Sequence, residues 1–219
     1  MYIPKHFEEP RTEVMYELMR ARPLATLVTL SSGGLNANHI PLYLSEQLGT
    51  DASAPYGILR GHVARANPLW SDCVNDVEVL AIFHGPDSYI TPSWYATKQE
   101  TGKVVPTWNY AVVHAYGALR VIDDAAWIRT QLEALTAHNE AGFSQPWSVA
   151  DAPADFIEKL IANIVGIEIV ITKLSGKWKV SQNQPAQNQA SVITGLSSSG
   201  LRNTGAMATL VTAGAKHAQ

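Results

Sequence analysis

The sequence is nearly without cysteine: Cys73 stands alone in 219 residues. An internal disulfide is therefore excluded, as is any CxxC redox or zinc motif, and Cys73 reads as a structural thiol. Charge is also sparse, at 16% of residues, and it is not basic: Lys+Arg number 16 against 19 Asp+Glu, for a net charge of −3. Nucleic-acid binding relies on a concentrated basic footprint, which this balance does not supply. Long apolar runs are missing too. The stretch from Val165 to Ile171 is broken by Gly166 and Glu168 and falls far short of a bilayer span. The opening Met1-Tyr2-Ile3-Pro4-Lys5-His6 lacks the basic-then-apolar pattern of a secretory signal. The expectation is a soluble, cytoplasmic protein with no membrane association. There is no GxGxxG and no Walker loop, so a nucleotide site would be neither Rossmann-type nor P-loop. The histidines (His6, His39, His62, His84, His114, His138, His217) show no HxH, HxxxH or HExxH spacing, which argues against a metal centre.

What is present is a 46% hydrophobic chain long enough for one large domain or two small ones. Pro10 opens a helix striped by Val14, Met15, Leu18 and Met19, and Pro23 ends it. Leu24 to Leu30 and Leu35 to Leu44 read as a hairpin about Ser31-Ser32-Gly33-Gly34. A loop follows at 49–55, a strand at 56–64, and a short helix at Leu69 and Trp70 behind Asn67-Pro68. A strand at 78–84 is expected to close at Gly85-Pro86, ahead of a long aromatic loop from Asp87 to Thr107. Tyr110 to Ile122 sets Tyr110, Val112, His114 and Tyr116 on one face and the smaller Ala111, Val113, Ala115 and Gly117 on the other, so something packs closely on the small face. Asp123-Asp124 caps a helix bearing Trp127, Ile128, Leu132 and Leu135. Asp151 and Pro153 open another, with Phe156, Ile157, Leu160 and Ile161 inward. Gly166 to Lys173 and Lys177 to Val180 are expected to pair about Ser175-Gly176. A weak helix and a frayed tail follow Pro185. The fold class is mainly β (α+β): an antiparallel barrel of about six strands with flanking helices. The domain division is 1–185 and a C-terminal 186–219.

Four segments could carry chemistry. In Arg60-Gly61-His62-Val63-Ala64-Arg65-Ala66-Asn67-Pro68, cationic and NH donors gather near a helix start, as a phosphate requires, or else form an exposed rim. Tyr89-Ile90-Thr91-Pro92-Ser93-Trp94-Tyr95, with Lys98, offers aromatics and hydroxyls that could edge a planar ring or plug a barrel end. Thr107-Trp108-Asn109-Tyr110 offers donors and flat surfaces, for a ring or for a subunit contact. Gly176 to Gln184 alternates basic and aromatic residues, but two lysines are few for nucleic-acid stacking.

These segments, with the opening Met1 to Phe7 and with Ala37-Asn38-His39-Ile40-Pro41, resemble in order and spacing the signature blocks of the PaiB-type FMN-binding negative transcriptional regulators. The resemblance covers residues 1 to 200. It implies an FMN-binding split-barrel fold similar to the pyridoxamine-phosphate oxidases and flavin reductases, with FMN at the interface of a homodimer. Arg65, with His62 and Asn67, is implied at the phosphate, and Asn38 and His39 at the ring edge. Ser93, Trp94, Lys98, Thr107, Trp108 and Asn109 are implied to close the site. Thr91 stands where the pattern has serine, and Gln184 where it has a basic residue. Three outputs stay open: a flavin-binding regulator, with DNA suggested by the family name but not by the charge; an FMN-dependent oxidoreductase, with no catalytic acid or base to name; and an interaction module without cofactor.

Overall fold

The computed structural model describes residues 1–45, 54–73, 77–201 and 203–217. Of the loop expected at 49–55, residues 49–53 lie outside them. The elements in order are β1 (Glu8–Glu9), α1 (Thr12–Ala21), β2 (Leu24–Ser31), β3 (Gly34–Pro41), β4 (Tyr43–Leu44), β5 (Ile58–Ala64), α2 (Leu69–Asp72) and β6 (Val79–Ile90). There follow α3 (Lys98–Thr101), β7 (Thr107–Ile122), α4 (Ala125–Glu140), α5 (Ala154–Ile161), β8 (Ile164–Lys179), α6 (Ala186–Ser198) and α7 (Thr204–His217). The strands run in the order β3-β2-β6-β7-β8-β5-β4, with β1 also on β8. β2 pairs antiparallel with β3 and β6, and β5 antiparallel with β4 and β8. The fold is an antiparallel sheet with flanking helices, as the pattern of short strands predicts.

The chain forms two compact units. The larger comprises 16–83 and 114–174. Its centre is β8, where Val165, Ile167, Ile169 and Ile171 are fully buried on one face. The other face is covered as well, by Trp127 of α4 lying against Gly166. Glu168 on that face is held by Arg60 (Nε to Oε2, 3.0 Å) and Arg120 (3.8 Å). The small face foreseen on β7 is real: Ala111, Val113, Ala115 and Gly117 are its buried positions. Ile128, Val149, Ile157 and Ile161 make a second apolar cluster where α4 meets α5. Phe156 and Leu160, expected inward, are about half exposed. The apolar stripe of α5 is wider than the surface available to cover it.

The smaller unit comprises 1–15, 84–113 and 175–219. Three expectations fail in it. β6 does not close at Gly85-Pro86 but continues to Ile90, with Ser88 and Ile90 buried and Asp87 and Tyr89 outward. Proline's fixed φ suits extended backbone and breaks only a hydrogen bond. The chain does not turn at Ser175-Gly176 either; β8 runs straight through. β1 pairs there (Glu8 with Lys177, Glu9 with Gly176), and a Cβ at Gly176 would lie 2.8 Å from Met15 Sδ. The glycine serves close approach, not a turn. Finally, the weak helix expected after Pro185 is there as α6, but in place of the frayed tail beyond it stands a second helix, α7. Val192 and Leu196, and Met207 and Val211, give each an i, i+4 buried pair. Their Ser/Thr hydroxyls bond back to the preceding turn, as in Thr194 to Ala190 O and Thr212 to Ala208 O, so a polar composition coexists with helix.

At Gly117 an added Cβ would stand 2.0 Å from the Val170 carbonyl oxygen, a backbone atom that cannot rotate away. Gly117→Ala should lower unfolding stability by about 3 kcal/mol, the upper end of typical overpacking costs. Urea denaturation measures it; an unchanged midpoint would contradict the packing described.

Candidate functional site

The eleven residues nominated above divide between the units. Asn38, His39, His62, Arg65 and Asn67 lie in the larger. β3 carries Asn38 and His39; β5 carries His62 and delivers the chain to Arg65 and Asn67. Asn67 is fixed at both ends of its amide: Oδ1 accepts from Leu69 N (2.9 Å), and Nδ2 donates to Asn38 Oδ1 (2.9 Å). The start of α2 thus locks a pair of side-chain amides, and Asn38 Nδ2 is left buried with no partner among the described residues. His39 is exposed and bonds Thr26 Oγ1 through Nδ1 (3.2 Å). His62 Nδ1 meets Gln131 Oε1 on α4 (2.9 Å).

Arg65 is heavily engaged. Its Nη1 and Nη2 donate to the two carboxylate oxygens of Asp123 (2.9 and 2.5 Å). Nε donates to Ala162 O (3.0 Å), and Nη2 also reaches Ile164 O (3.2 Å). One guanidinium therefore ties the end of β5 to the approach to α4 and to the α5–β8 junction. In Asp123-Asp124 the helix cap is Asp124, whose Oδ1 accepts from Trp127 N (2.7 Å); Asp123 is the Arg65 partner. A cleft of about 580 Å³ opens here, lined by Arg65, Asp123, Ala125, Ala126, Arg129 and Glu158 among others. It borders the first turn of α4, where free backbone NH groups favour anions. Asp123 and Gln131 were not singled out from sequence. Asp123 looked like part of a cap, and nothing in sequence marks Gln131.

Ser93, Trp94, Lys98, Thr107, Trp108 and Asn109 lie in the smaller unit. Thr91 Oγ1 accepts from Ser93 N (3.3 Å) to cap a short 3-10 turn over Pro92–Trp94. The hydroxyl expected there is present, as threonine. Lys98 Nζ donates to Ser93 Oγ (3.2 Å). Trp94 lies on Gly195 of α6, where a Cβ would come within 2.4 Å of the indole. Thr97 and Asn188 exchange two hydrogen bonds of 3.1 and 3.0 Å. On β7, Thr107 and Asn109 share one face while Trp108 turns to the other, edge-on to Tyr89 at 6.0 Å. Thr107 accepts from Lys179 Nζ.

Asn109 is 1% exposed, and its Nδ2 donates to Ser181 Oγ at 2.8 Å. Ser181 has φ +63°, in the left-handed region that L side chains rarely enter. It is held by Gln184 N donating to its carbonyl (2.9 Å) and by Gln182 Oε1 accepting from Val180 N (2.8 Å). This built support fixes Asn109 so that its Oδ1 is buried with no partner among the described residues. Each unit thus holds one buried side-chain atom that a ligand group can match: Asn38 Nδ2, a donor, in the larger and Asn109 Oδ1, an acceptor, in the smaller. Burial first and the Asp72 charge second push the Cys73 thiol pKa up, which disfavours the thiolate.

The Arg65 hydrogen bond holds the Asp123 carboxyl below the usual carboxylate range. A depressed folded-state pKa adds stability above the unfolded pKa and loses it as pH falls through the folded one. At neutral pH, Asp123→Asn should therefore melt below wild type. The gap should close as pH falls through the lowered Asp123 pKa, as followed by thermal melts across pH. A gap that persists in acid would contradict the ion pair.

Residues 1–173 match a family model described as "Putative FMN-binding domain". Among curated proteins, the chain is 36% identical to an uncharacterized protein of Emericella nidulans, covering 91% of this chain and 92% of that one. It is 29% identical to the protease synthase and sporulation protein PAI 2 of Bacillus subtilis, covering 96% of each. Among solved structures it is similar to a flavocytochrome from Azotobacter vinelandii (TM-score 0.58, 14% identity, 81% of this chain and 72% of that one). It is also similar to an FAD and heme binding protein from Mycobacterium smegmatis (TM-score 0.56, 17% identity, 78% and 73%). At such identities the likeness establishes the fold alone, that of the antiparallel split barrel. The family match spans more than three quarters of the chain, so the protein belongs to the FMN-binding-domain family, with PAI 2 among its relatives.

Proposed function

We propose that this protein binds FMN, and that its flavin-bound form serves the regulatory role that its resemblance to the PaiB-type negative transcriptional regulators implies. The observation that carries the reading is the family match over residues 1–173. Two buried side-chain atoms support it. Isoalloxazine presents carbonyl and ring-nitrogen acceptors and one NH donor along its polar edge. Asn38 Nδ2 in the larger unit is a buried donor and Asn109 Oδ1 in the smaller unit a buried acceptor, each without a partner among the described residues, and a buried polar atom left unmatched is costly unless a ligand completes it. Trp94, Trp108 and Tyr89 supply aromatic surface of the kind a planar ring packs on. FMN, when bound, would supply one- and two-electron redox capacity.

Arg65 is the cation assigned to the phosphate, and it must exchange Asp123 for it. Both side chains are substantially exposed, at 38% and 56%, so the existing pair is one that solvent weakens. A phosphate of nearly two negative charges is the stronger partner for the guanidinium fork. Arg129 lines the same cleft. A homodimer is part of this reading. Leu24, Leu30 and Leu35, on the outermost strand pair β2-β3, are exposed apolar side chains, a face that a second copy could cover.

Fluorescence titration with FMN and riboflavin tests both parts. Arg65→Ala should weaken FMN by about tenfold or more and leave riboflavin, which lacks the phosphate, unchanged. Asp123→Asn, which removes the competing carboxylate charge, should tighten FMN alone. Equal losses for both ligands in Arg65→Ala would assign Arg65 to the fold and remove it from the site.

A further inference from the structure

We infer that a second, smaller pocket in the larger unit, walled by α4 and the β4–β5 strands, is a binding site for a small monocarboxylate. The pocket, about 120 Å³, is lined by Tyr43, Arg60, Trp127, Thr130, Gln131 and Ala134. It is too small for an isoalloxazine ring system. A cavity of about 150 Å³ accepts benzene, so the fit is to a short-chain or small branched acid.

Three features specify the ligand's chemistry. Gln131 is 3% exposed, and its Nε2 has no partner among the described residues. Its orientation is set from behind, where Oε1 meets His62 Nδ1 at 2.9 Å. With Oε1 toward His62, the end of the amide left without a partner is Nε2, a donor. Second, Arg60 spends only Nε on Glu168 (3.0 Å). Its two terminal amino groups make no hydrogen bond among the described residues, and the guanidinium lies over Trp127, 5.8 Å from the ring centroid. Third, the one charged residue lining the pocket is cationic, Arg60; the Glu168 carboxylate that it meets lies outside the lining and is shared with Arg120.

An amide donor and a planar guanidinium fork, in a lining whose one charged residue is cationic, match one carboxylate. Trp127 and Ala134 give its hydrocarbon part an apolar wall. A dianionic phosphate would overcompensate the charge, and a neutral amide would leave it unmet. None of the residues assigned to flavin lines this pocket; His62 stands behind Gln131, and Thr130 lines both this pocket and the Arg65 cleft.

Calorimetry on the full chain with propionate, and with propionamide as the neutral isostere, tests the inference. Propionate should bind saturably with a dissociation constant on the order of 1 mM or tighter, and propionamide at least about tenfold more weakly. Gln131→Met, which fills the same space without the donor, should weaken propionate about tenfold. If that variant fails to fold, the Gln131 side-chain amide resonances of the wild type decide, because they must shift on saturation with propionate. The inference is overturned by absence of saturable binding, by equal affinity for propionamide, by undiminished binding in Gln131→Met or by unmoved amide resonances. Displacement of propionate by FMN would also overturn it, since the pocket would then belong to the flavin.

Discussion

Strand β8 is buried on both faces through its first half, and the larger unit is arranged to allow that. A strand covered on one side needs only alternation. One covered on both needs its neighbours to come unusually close, and two glycines make this so. Gly117 lets β7 approach the Val170 carbonyl, and Gly166 lets the Trp127 indole lie on the strand. Trp127 is on α4, so the same contact positions that helix. With α4 in place, Gln131 meets His62, Asp123 meets Arg65, and Arg60 lies over Trp127 while holding Glu168. Glu168 is the one charged residue in that first half of the strand. Its two arginines make burial tolerable, and removing one partner of such a pair costs far more than the pair itself contributes.

The smaller unit solves a different problem. Asn109 sits at 1% exposure with half of its amide satisfied by Ser181, whose backbone is held in the left-handed region. Strain and an unmatched acceptor in one place are what functional sites retain when packing alone would remove them. Asn38 in the larger unit is its counterpart as an unmatched donor, held by Asn67. These two amides give the FMN reading physical content beyond family membership.

Much of the scaffold was legible in the residues. Proline at 10 and 23 bracketed α1, Ser-Ser-Gly-Gly marked the β2-β3 turn, and the large-small alternation of β7 foretold a tight contact that Gly117 makes. What misled was punctuation. Gly85-Pro86 and Ser175-Gly176 look like turns, yet both lie inside extended strands, the second because the N-terminal segment pairs across it. The Ser/Thr-rich end of the chain looked frayed because its hydroxyls are absorbed by the helices' own carbonyls. At the site, the nominated residue types were recognisable by chemistry, but their partners were not. Asp123 and Gln131 lie 58 and 69 positions from the residues they bond, and no local pattern carries such information.

The central claim is that this chain holds FMN. Its most direct test is the visible absorption spectrum of the full-length protein after incubation with FMN and removal of free ligand by desalting. The account predicts retained flavin bands at close to one flavin per chain, shifted from those of free FMN as the ring's polar edge meets buried donors and acceptors. A colourless protein, folded by circular dichroism and unchanged by excess FMN, would contradict it.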